Sequence, residues 1–456
     1  MGPRPLVTVV GGGLAGVEAA WAAATRGAQA LLYEMRPGQR TPAHQTGDLA
    51  ELVCSNSLKS ARLTNAAGLL KAEMARLGSV LLPIARECAV PAGEALAVDP
   101  PLFASTVTDR VHQHPEITVI RQEVTEVPEE TPVVLATGPL TSDSLANSLA
   151  ETTGTGLLRF FDAVAPTVTL ESIDQSQAFR ASRRNRSMED AAPAAVQVED
   201  YINCPMSREE YDAFLAALLE AEQARPHLPE EASTPFFEAC IPVEELARRG
   251  PRTLAYGPLR PVGLTDPRTG RRPHAVVQLR QQDRAGTLWG LVGFQTRLRW
   301  PDQKRVFRMI PGLQQAEFVR YGVMHRNTYL CSPEALLPTC ELRARPGIFV
   351  AGQLTGVEGY VESAAIGILA GLNAVRLASG RTPVIPPPET VLGSLCRYLT
   401  ETDPKVFAPM NANYAILPEL SPRVADKRAR AQAHADRSLA ALGAWMKEER
   451  LDGSDS

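Results

Sequence analysis

Three glycines near the start of the chain have the spacing of a dinucleotide-binding turn. They form Gly11-x-Gly13-x-x-Gly16, directly after the apolar run Val7–Val10 and directly before a helix-forming stretch. In such a strand–turn–helix unit the first glycine allows the tight turn, the second lets a pyrophosphate approach the backbone, and the third lets the helix pack on the strand. Glu34 ends a second predicted strand and is placed to accept hydrogen bonds from an adenosine ribose. The sequence therefore predicts an adenine-dinucleotide site.

A second glycine-rich turn lies far along the chain, at residues 352–359. It follows a predicted buried strand, Ile348–Ala351, and precedes a helix beginning near Val361. The N-terminus of such a helix offers N–H groups and a positive dipole to an electron-rich ring. A third turn, Thr137-Gly138-Pro139, ends the strand Val133–Ala136 in the manner of two-dinucleotide-fold flavoproteins, which favours FAD over NAD. The residues predicted to contact FAD are Gly11, Gly12, Gly13, Leu14, Ala15, Gly16, Glu34, Gly138, Gly352, Gln353, Gly356 and Gly359.

Two of the seven cysteines lie in segments that suit a reactive thiol. Cys54 lies in the polar segment 51–57, just after the nucleotide-binding unit and within reach of a flavin edge. Cys240 lies in the segment 236–242, beside Glu238 and aromatic residues. A thiol is only partly ionised at neutral pH but is nucleophilic toward an electron-poor carbon. Cys54 and Cys240 are therefore the catalytic candidates, whereas we interpret as small core residues Cys88, Cys331, Cys340 and Cys396, with Cys204 left open.

His325 precedes the second glycine block and is a candidate to stack on, or hydrogen-bond to, the flavin or its co-substrate. The histidines form no HExxH motif, and the cysteines form no CxxC pair, so no metal site is predicted. An odd cysteine count argues against a disulfide framework and favours reduced thiols in a cytoplasm.

The middle of the chain divides into an acidic half and a basic half. Ser187–Glu245 holds 14 Asp or Glu against two Arg, whereas Leu246–Ile310 holds 14 Lys or Arg against three Asp. Basic residues interleaved with aromatic ones suit an RNA backbone that carries exposed bases. The interleaved aromatic residues are Tyr256, Trp289, Phe294 and Trp300, and the predicted RNA contacts are Arg271, Arg272 and Arg280. The alternative is that the basic half pairs with the acidic half.

These sites must be positioned by a domain that both ends of the chain build together. We predict an α/β fold in which a split, FAD-binding Rossmann-like domain of the two-dinucleotide-fold type carries an inserted α+β domain. The first part of the FAD-binding domain spans 1–160, the insertion on the substrate side spans 161–325, and the second part with C-terminal helices spans 326–456. With a net charge of −4 and no run of 18 apolar residues, the chain is expected to be soluble and cytoplasmic, without a membrane partner.

Long motifs spread over most of the chain are also those of a known family. They are VTVVGGGLAGVEAA (7–20), YEMRP (33–37), ELVCSNSLKS (51–60), NAAGLLKAEM (65–74), YINCPM (201–206), FFEACIPVEELARRG (236–250), residues 294–329, the 346–376 block and MNANYAILP (410–418). On these motifs the chain resembles the folate- and FAD-dependent tRNA (uracil-5-)-methyltransferases, the TrmFO family, which is related to the GidA flavoproteins. It departs from the usual pattern at Ser182–Asp200, which is longer than the family's short polar link.

The resemblance implies methylation of uridine 54 in the T loop of tRNA. The carbon would come from 5,10-methylenetetrahydrofolate, and NADPH or NADH would supply electrons through FAD. Chemistry gives its own reason for thiols, because C5 of uracil becomes nucleophilic only after addition at C6, and the C5 proton must then leave to a base. We assign Cys240 as the C6 nucleophile and Cys54 as the thiol nearer the flavin, although the two roles can be exchanged.

Three other functions compete with this interpretation. A GidA-type enzyme for wobble uridine uses the same flavin scaffold but has an extra C-terminal helical domain, for which the chain leaves little room after Asn413. A flavin-stabilised RNA-binding module would need the basic insertion and not the thiols. A general NAD(P)H–flavin oxidase would ordinarily carry a second complete GxGxxG motif, which the sequence lacks.

Overall fold

The computed structural model describes residues 4–41, 43–183, 199–224 and 241–451. Within these ranges the helices are α1 (Leu14–Ala24), α2 (Ala66–Arg76), α3 (Leu81–Glu87), α4 (Pro100–His112), α5 (Asp143–Thr153), α6 (Arg208–Glu220), α7 (Val243–Arg248), α8 (Thr253–Tyr256), α9 (Trp300–Phe307), α10 (Ser332–Ala335), α11 (Tyr360–Ala378), α12 (Val391–Glu401) and α13 (Lys427–Glu448). The strands are β1 (Leu6–Val10), β2 (Gln29–Tyr33), β3 (Ser57–Ser60), β4 (Ala89–Val90), β5 (Ala95–Val98), β6 (Ile117–Ile120), β7 (Val133–Leu135), β8 (Leu158–Ala163), β9 (Thr167–Thr169), β10 (Phe179–Arg180), β11 (Tyr201–Met206), β12 (Ala275–Gln281), β13 (Leu288–Leu291), β14 (Phe318–Arg320), β15 (Met324–Tyr329) and β16 (Ile348–Val350).

A five-stranded parallel sheet, in the order β16-β7-β1-β2-β6, is built from both ends of the chain. Its strands are apolar because helices cover both faces, as parallel sheets require. The predicted strands Val133–Ala136 and Ile348–Ala351 are present, and each ends one residue earlier than predicted. In a parallel sheet all carboxyl ends meet at one edge, so the turns after β1, β2, β7 and β16 converge there. We call this part of the molecule the nucleotide domain.

The described residues between β8 and β15 form a second layer around a six-stranded antiparallel sheet, in the order β10-β11-β12-β13-β9-β14. One face of this sheet buries alternate residues such as Cys204 and Val277 against Phe214 of α6 and Phe307 of α9. We call this part the inserted domain. The strands β8 and β15 pair antiparallel and connect the two domains, and the predicted boundaries at 160/161 and 325/326 fall inside these two strands.

The helices α1 and α11 run in parallel with their backbones in contact. A Cβ atom on Gly367 would overlap the carbonyl oxygen of Ala15, and one on Gly371 would overlap that of Ala19. The two N-termini therefore point the same way. α11 is long and apolar enough by composition to cross a membrane, but 83% of it is buried inside the protein, where it forms the centre of the nucleotide-domain core.

Candidate functional site

A groove with an empty volume of about 990 Å³ follows the carboxyl edge of the parallel sheet. The turns after β1, β2, β7 and β16 all contribute to its wall, so segments more than 300 residues apart meet there. Of the residues predicted to contact a dinucleotide, nine line the groove: Gly11, Gly12, Gly13, Leu14, Ala15, Glu34, Gly138, Gly352 and Gln353. The other three, Gly16, Gly356 and Gly359, are not part of its lining.

The glycine turn at 11–16 separates a binding role from a packing role. Gly13 precedes α1, which has no side-chain cap, and a Cβ atom on Gly13 would meet nothing within 4 Å. The first N–H groups of a helix have no partner within the helix, so this end of α1 is suited to an anion. Gly16 differs, because its Cβ would overlap the carbonyl oxygen of Gly11 and push α1 off β1. Gly13 therefore leaves room for a ligand, whereas Gly16 allows the helix to pack.

The N-terminus of α11 reaches farther along the groove than that of α1. Gly367 lies against Ala15, so Leu14 at the start of α1 is level with residue 366, six residues after the first residue of α11. At 1.5 Å per residue the two helix starts are staggered by about 9 Å. α11 is also uncapped by a side chain, with Gly359 before Tyr360. Two staggered helix N-termini fit an extended dinucleotide, since each offers N–H groups and a positive dipole to the groove.

Glu34 is held by the protein itself at the base of the groove. Its carboxylate is 5% exposed and accepts hydrogen bonds from the Gly12 N–H at 2.9 Å and from the backbone and guanidinium of Arg36 at 2.9–3.0 Å. Burial opposes its ionisation, but the hydrogen bonds and charge of Arg36 outweigh burial and lower the pKa of Glu34. Arg36 also donates to Glu51 at 3.1 Å. A ribose contact by Glu34 therefore stays a prediction, while its bond to Gly12 fixes the glycine turn.

Cys54 lies at the end of the groove where α11 begins. The N–H of Cys54 donates to the hydroxyl of Tyr360 at 2.7 Å, and the N–H of Ser55 donates to the same hydroxyl at 3.2 Å. Both Tyr360 and Val53 line the groove. The Sγ atom of Cys54 is 4.0 Å from the carbonyl oxygen of Ala163, where β8 ends. This thiol therefore lies between the groove and the connection to the inserted domain.

Accessibility separates Cys54 from the other described thiols. Cys54 is half-buried, whereas five cysteines are buried: Cys88, Cys204, Cys331, Cys340 and Cys396. Burial raises the pKa of the Cys204 thiol to about 12, which makes this cysteine a packing residue of the inserted domain. Cys240, the other catalytic candidate, lies outside the described residues. Within the described ranges, no group of three or more His, Cys, Asp or Glu residues is arranged to hold a metal ion.

The second face of the inserted sheet turns toward the nucleotide domain. Tyr201 lies opposite Arg280 in the β11–β12 ladder, and its hydroxyl donates to the Ala92 carbonyl at 2.9 Å. The Asn56 side chain donates to the carbonyl oxygen of Gln281 at 2.9 Å, which joins the Cys54 segment to β12. A cavity with an empty volume of about 1160 Å³ opens beside these contacts and includes Tyr201 and Arg183 in its lining.

Arg280 is therefore an interdomain residue and not an exposed one. Its Nε atom is buried and has no hydrogen-bond partner among the described residues. Burial lowers the pKa of its guanidinium, and Tyr201, Cys54 and Tyr360 oppose that change. Arg271 and Arg272, the other two predicted RNA contacts, are exposed and lie just before β12. The three arginines predicted together thus occupy two different environments.

The charged halves of the inserted domain pair only in part. Arg248 and Arg297 both bond Glu245, and Arg299 bonds Glu222 at 2.6 Å, so some basic residues do meet the acidic half. Among the residues that the structure describes, no ion pair forms at Arg252, Arg260, Arg271, Arg272 or Lys304, all of which are exposed. The interleaved aromatic residues divide as well. Trp289 and Phe294 are core residues, whereas exposed surface remains on Tyr256 and Trp300.

His325 lies in β15, opposite Asp162 of β8 and therefore one ladder position from Ala163. This places its backbone near the carbonyl that contacts Cys54.

Sequence reasoning did not single out Arg36 or Tyr360. Arg36 lies in the YEMRP motif and Tyr360 in the 346–376 block. Arg36 could have been found from its position two residues after Glu34, and Tyr360 from its position directly after Gly359, where a helix was expected to begin.

Comparison with known proteins agrees with this geometry. The family model of glucose inhibited division protein A matches residues 6–382. A methylenetetrahydrofolate–tRNA-(uracil-5-)-methyltransferase TrmFO from Desulforudis audaxviator is 58% identical over 97% of this chain and 98% of its own. The TrmFO protein from Symbiobacterium thermophilum is 57% identical over 97% of each chain. Matches of this extent cover the groove, the inserted domain and the C-terminal helices together.

The fold has a counterpart among solved structures. GidA from Aquifex aeolicus superposes with a TM-score of 0.67 at 18% identity, and the match covers 99% of this chain and 78% of that one. The chain therefore has a FAD-binding Rossmann-like fold with mixed parallel and antiparallel sheets, as the sequence predicted. The open space at Gly13, the two uncapped helix starts and the groove between them fit FAD.

Proposed function

The chain belongs to the glucose inhibited division protein A family, and within it to the methylenetetrahydrofolate–tRNA-(uracil-5-)-methyltransferases, and from this premise we propose how its two domains share the reaction. It methylates a tRNA uracil at C5 with carbon from methylenetetrahydrofolate. Modification of a wobble uridine is less supported, because relatives at 53–58% identity carry the uracil-5-methyltransferase name. We place the target at uridine 54 of the T loop and the protein in the cytoplasm.

The groove of the nucleotide domain would hold FAD through the glycine turns at 11–16 and 352–359 and the uncapped N-termini of α1 and α11. When bound, FAD supplies the hydride that completes the methyl group on C5. NADPH or NADH is the proposed source of those electrons. The observation that carries the residue-level proposal is the position of Cys54, whose N–H is bonded to Tyr360 at the groove end and whose segment is bonded to β12 through Asn56. A uracil at this point can contact both domains.

Two thiols divide the work on uracil. The Cys240 thiolate adds to C6, and the electron pair of the C5–C6 bond becomes available at C5, which then bonds to the folate-derived carbon. The C5 proton leaves to a base as the bond between the transferred carbon and the folate nitrogen breaks, which releases tetrahydrofolate and leaves an exocyclic methylene on C5. After a hydride has been added to this methylene, the C6–S bond breaks and the C5–C6 double bond returns. We assign Cys54 to the C5 proton or to the one-carbon adduct, because its Sγ atom lies beside Ala163 at the domain connection. His325, on the neighbouring strand, is the candidate for contact with folate or flavin.

The first experiment is mass spectrometry of a T-loop RNA incubated with the enzyme, methylenetetrahydrofolate and NADPH. We expect one added methyl group on uridine 54, and none on an RNA that carries cytidine there. Methylation elsewhere in the RNA would contradict the target, whereas no methylation with any tRNA substrate would contradict the proposed function. Omission of NADPH, with NADH as replacement, tests the reductant separately.

The second experiment concerns the thiols. Cys54→Ala and Cys240→Ala should each stop turnover while FAD absorbance and RNA binding stay near those of the unaltered protein. Cys88→Ala is the matched control, because this thiol is buried away from the groove and should be dispensable. RNA containing 5-fluorouracil should form a stable adduct, since fluorine cannot leave C5 as a proton. An adduct mapped to Cys54 would exchange the two roles, and normal methylation by either alanine variant would remove that cysteine from the mechanism.

A further inference from the structure

A series of aromatic rings leads from the core of the inserted domain to its surface. Phe294 packs edge-on against Phe307, which contacts Phe318. Phe318 and Tyr321 are stacked with ring centroids 5.5 Å apart, and Tyr321 and Trp300 are stacked at 5.4 Å and 14°. Phe294 and Phe307 are fully buried, whereas Trp300 is 57% exposed. One face of the Trp300 indole is therefore covered by a ring, and the side chain still presents a large apolar surface to solvent.

This arrangement is held rigidly by a buried amide. The side chain of Gln303, in α9, donates to the carbonyl oxygen of Gly322 at 2.8 Å and accepts from the N–H of Gly322 at 2.8 Å. Gln303 also donates to the Leu298 carbonyl at 2.7 Å. These three bonds fix the start of α9, and so Trp300, against the segment that carries Tyr321. A rigid aromatic surface loses little conformational entropy when it binds a flat ligand.

The same segment contacts the candidate active site. Arg320, next to Tyr321, donates to the carbonyl oxygen of Val53 at 2.6 Å, and Val53 precedes Cys54. Val53 also lines the flavin groove. Trp300 is therefore connected to the reactive thiol through one ring contact and one hydrogen bond. The segment that carries Tyr321 therefore lies against the Cys54 segment.

The charge next to Trp300 is positive. Lys304 lies four residues later in α9, on the same side of the helix, and it is exposed without an ion pair among the described residues. Arg299 precedes Trp300 and is more than half exposed, although it bonds Glu222. An exposed ring beside an unpaired cation matches a nucleobase and its phosphate, because stacking and charge neutralisation act together in RNA binding.

We propose that Trp300 is a stacking platform for a base that flanks the target uridine, and that Lys304 contacts a neighbouring phosphate. This inference rests on the proposed function and extends it, since it names the surface that holds the RNA next to the reacting base. The ring system of folate is the competing occupant. It is flat and aromatic as well, but it carries no phosphate for Lys304.

Tryptophan fluorescence of the holoenzyme gives a direct test. Trp300 is the most exposed of the four tryptophans, and the others are Trp21, Trp289 and Trp445. Addition of a T-arm RNA should quench the emission of the unaltered protein, because a base stacked on indole is an efficient quencher. Trp300→Phe should lose this quenching and keep RNA affinity, since phenylalanine can still stack. Trp21→Phe, which alters a tryptophan in the nucleotide domain, should keep the quenching.

Kinetics supply the second measurement. Trp300→Ala should raise the KM for RNA by roughly 5- to 150-fold, the range reported for loss of one stacked base, with kcat changed much less. Quenching that survives in Trp300→Phe, or a KM within about twofold in Trp300→Ala, would overturn the proposal. If folate alone quenched the emission, and if Trp300→Ala raised the KM for folate and not for RNA, the surface would be assigned to folate instead. Failure of the unaltered protein to methylate RNA would reject the proposed function and is distinct from these outcomes.

Discussion

The nucleotide domain and the inserted domain present opposite kinds of surface to a ligand. The groove is formed by glycines, helix N-termini and the carboxylate of Glu34, so its contacts come mainly from the backbone. The inserted domain presents long side chains such as Arg271, Arg272 and Trp300 on its surface. Backbone contacts are set by the fold alone, whereas side-chain contacts depend on which residues are exposed. We therefore expect the first site to depend mainly on its glycines and helix starts, and the second on its exposed side chains.

The largest expected effect comes from substituting two glycines of the nucleotide domain. A side chain at Gly16 should destabilise the fold, whereas one at Gly13 should leave the fold intact and weaken FAD binding. Gly16→Ala places a Cβ onto the Gly11 carbonyl and should destabilise the fold by about 3 kcal/mol or more. Gly13→Val has open space and an extended backbone, so the protein should fold but bind FAD roughly 100-fold more weakly, about 2.7 kcal/mol. Thermal unfolding of both apoproteins and flavin absorbance measure the two effects. A Gly13→Val protein that bound FAD as tightly as the unaltered protein would contradict the placement of FAD.

The next effect is that of salt concentration, which should change RNA affinity and FAD affinity to different extents. With about five phosphates neutralised, the logarithm of RNA affinity should fall against the logarithm of salt concentration with a slope of roughly −3.5 to −4.5. FAD affinity should change little, because its phosphates meet helix N–H groups and not free cations. Filter binding and fluorimetric titration measure the two slopes in the same buffers. Equal slopes would remove the contrast between the domains.

Substitutions of arginine should have different effects at two places in the inserted domain. Arg271→Glu combined with Arg272→Glu should weaken RNA binding and make the salt slope shallower by about two, since both side chains are exposed. Arg280→Gln should instead lower kcat by about tenfold, because Arg280 lies beside the Cys54 segment at the domain interface. Steady-state kinetics with varied RNA separate the two. If Arg280→Gln changed only the KM for RNA, Arg280 would be an RNA contact like Arg271 and Arg272, and not a residue that acts at the Cys54 segment.

The sequence predicted which turns meet at the groove, but it did not separate buried from exposed residues in the inserted domain, and the reason is physical. A glycine fingerprint requires a strand before it and a helix after it, so recognition of the motif also places it in space. Arginines and aromatic residues have no such requirement. Arg280 and Arg271 looked equivalent in sequence, as did Trp289 and Trp300. In the structure Arg280 and Trp289 lie within the β12–β13 pair, whereas Arg271 and Trp300 are exposed. The stacking of Trp300 on Tyr321 joins residues of different elements that no local pattern predicts.

Glu18 provides the smallest and most specific test, because the nucleotide domain also holds this buried carboxylate through backbone N–H groups. Glu18 accepts hydrogen bonds from Val80 and Leu81 at 3.1 and 3.2 Å and from the Ser79 hydroxyl. Burial raises its pKa to about 7 from an ordinary value of 4.5, and these bonds oppose the rise only in part. The folded state therefore binds a proton that the unfolded state has lost, so this group's contribution to stability falls as pH rises through about 7.

We expect the free energy of unfolding to lose about 1 kcal/mol between pH 6 and pH 8 through Glu18 alone. Glu18→Gln cannot ionise, so its stability should decline less steeply over that interval, whatever its absolute value. Glu87→Gln is the control, because Glu87 is exposed at the C-terminal end of α3, the helix whose N-terminus holds Glu18. The stability of this variant should depend on pH as steeply as that of the unaltered protein. Denaturant unfolding at several pH values measures the three slopes. Parallel curves for Glu18→Gln and the unaltered protein would mean that Glu18 stays ionised, and that the backbone N–H groups of α3 are sufficient to hold its charge.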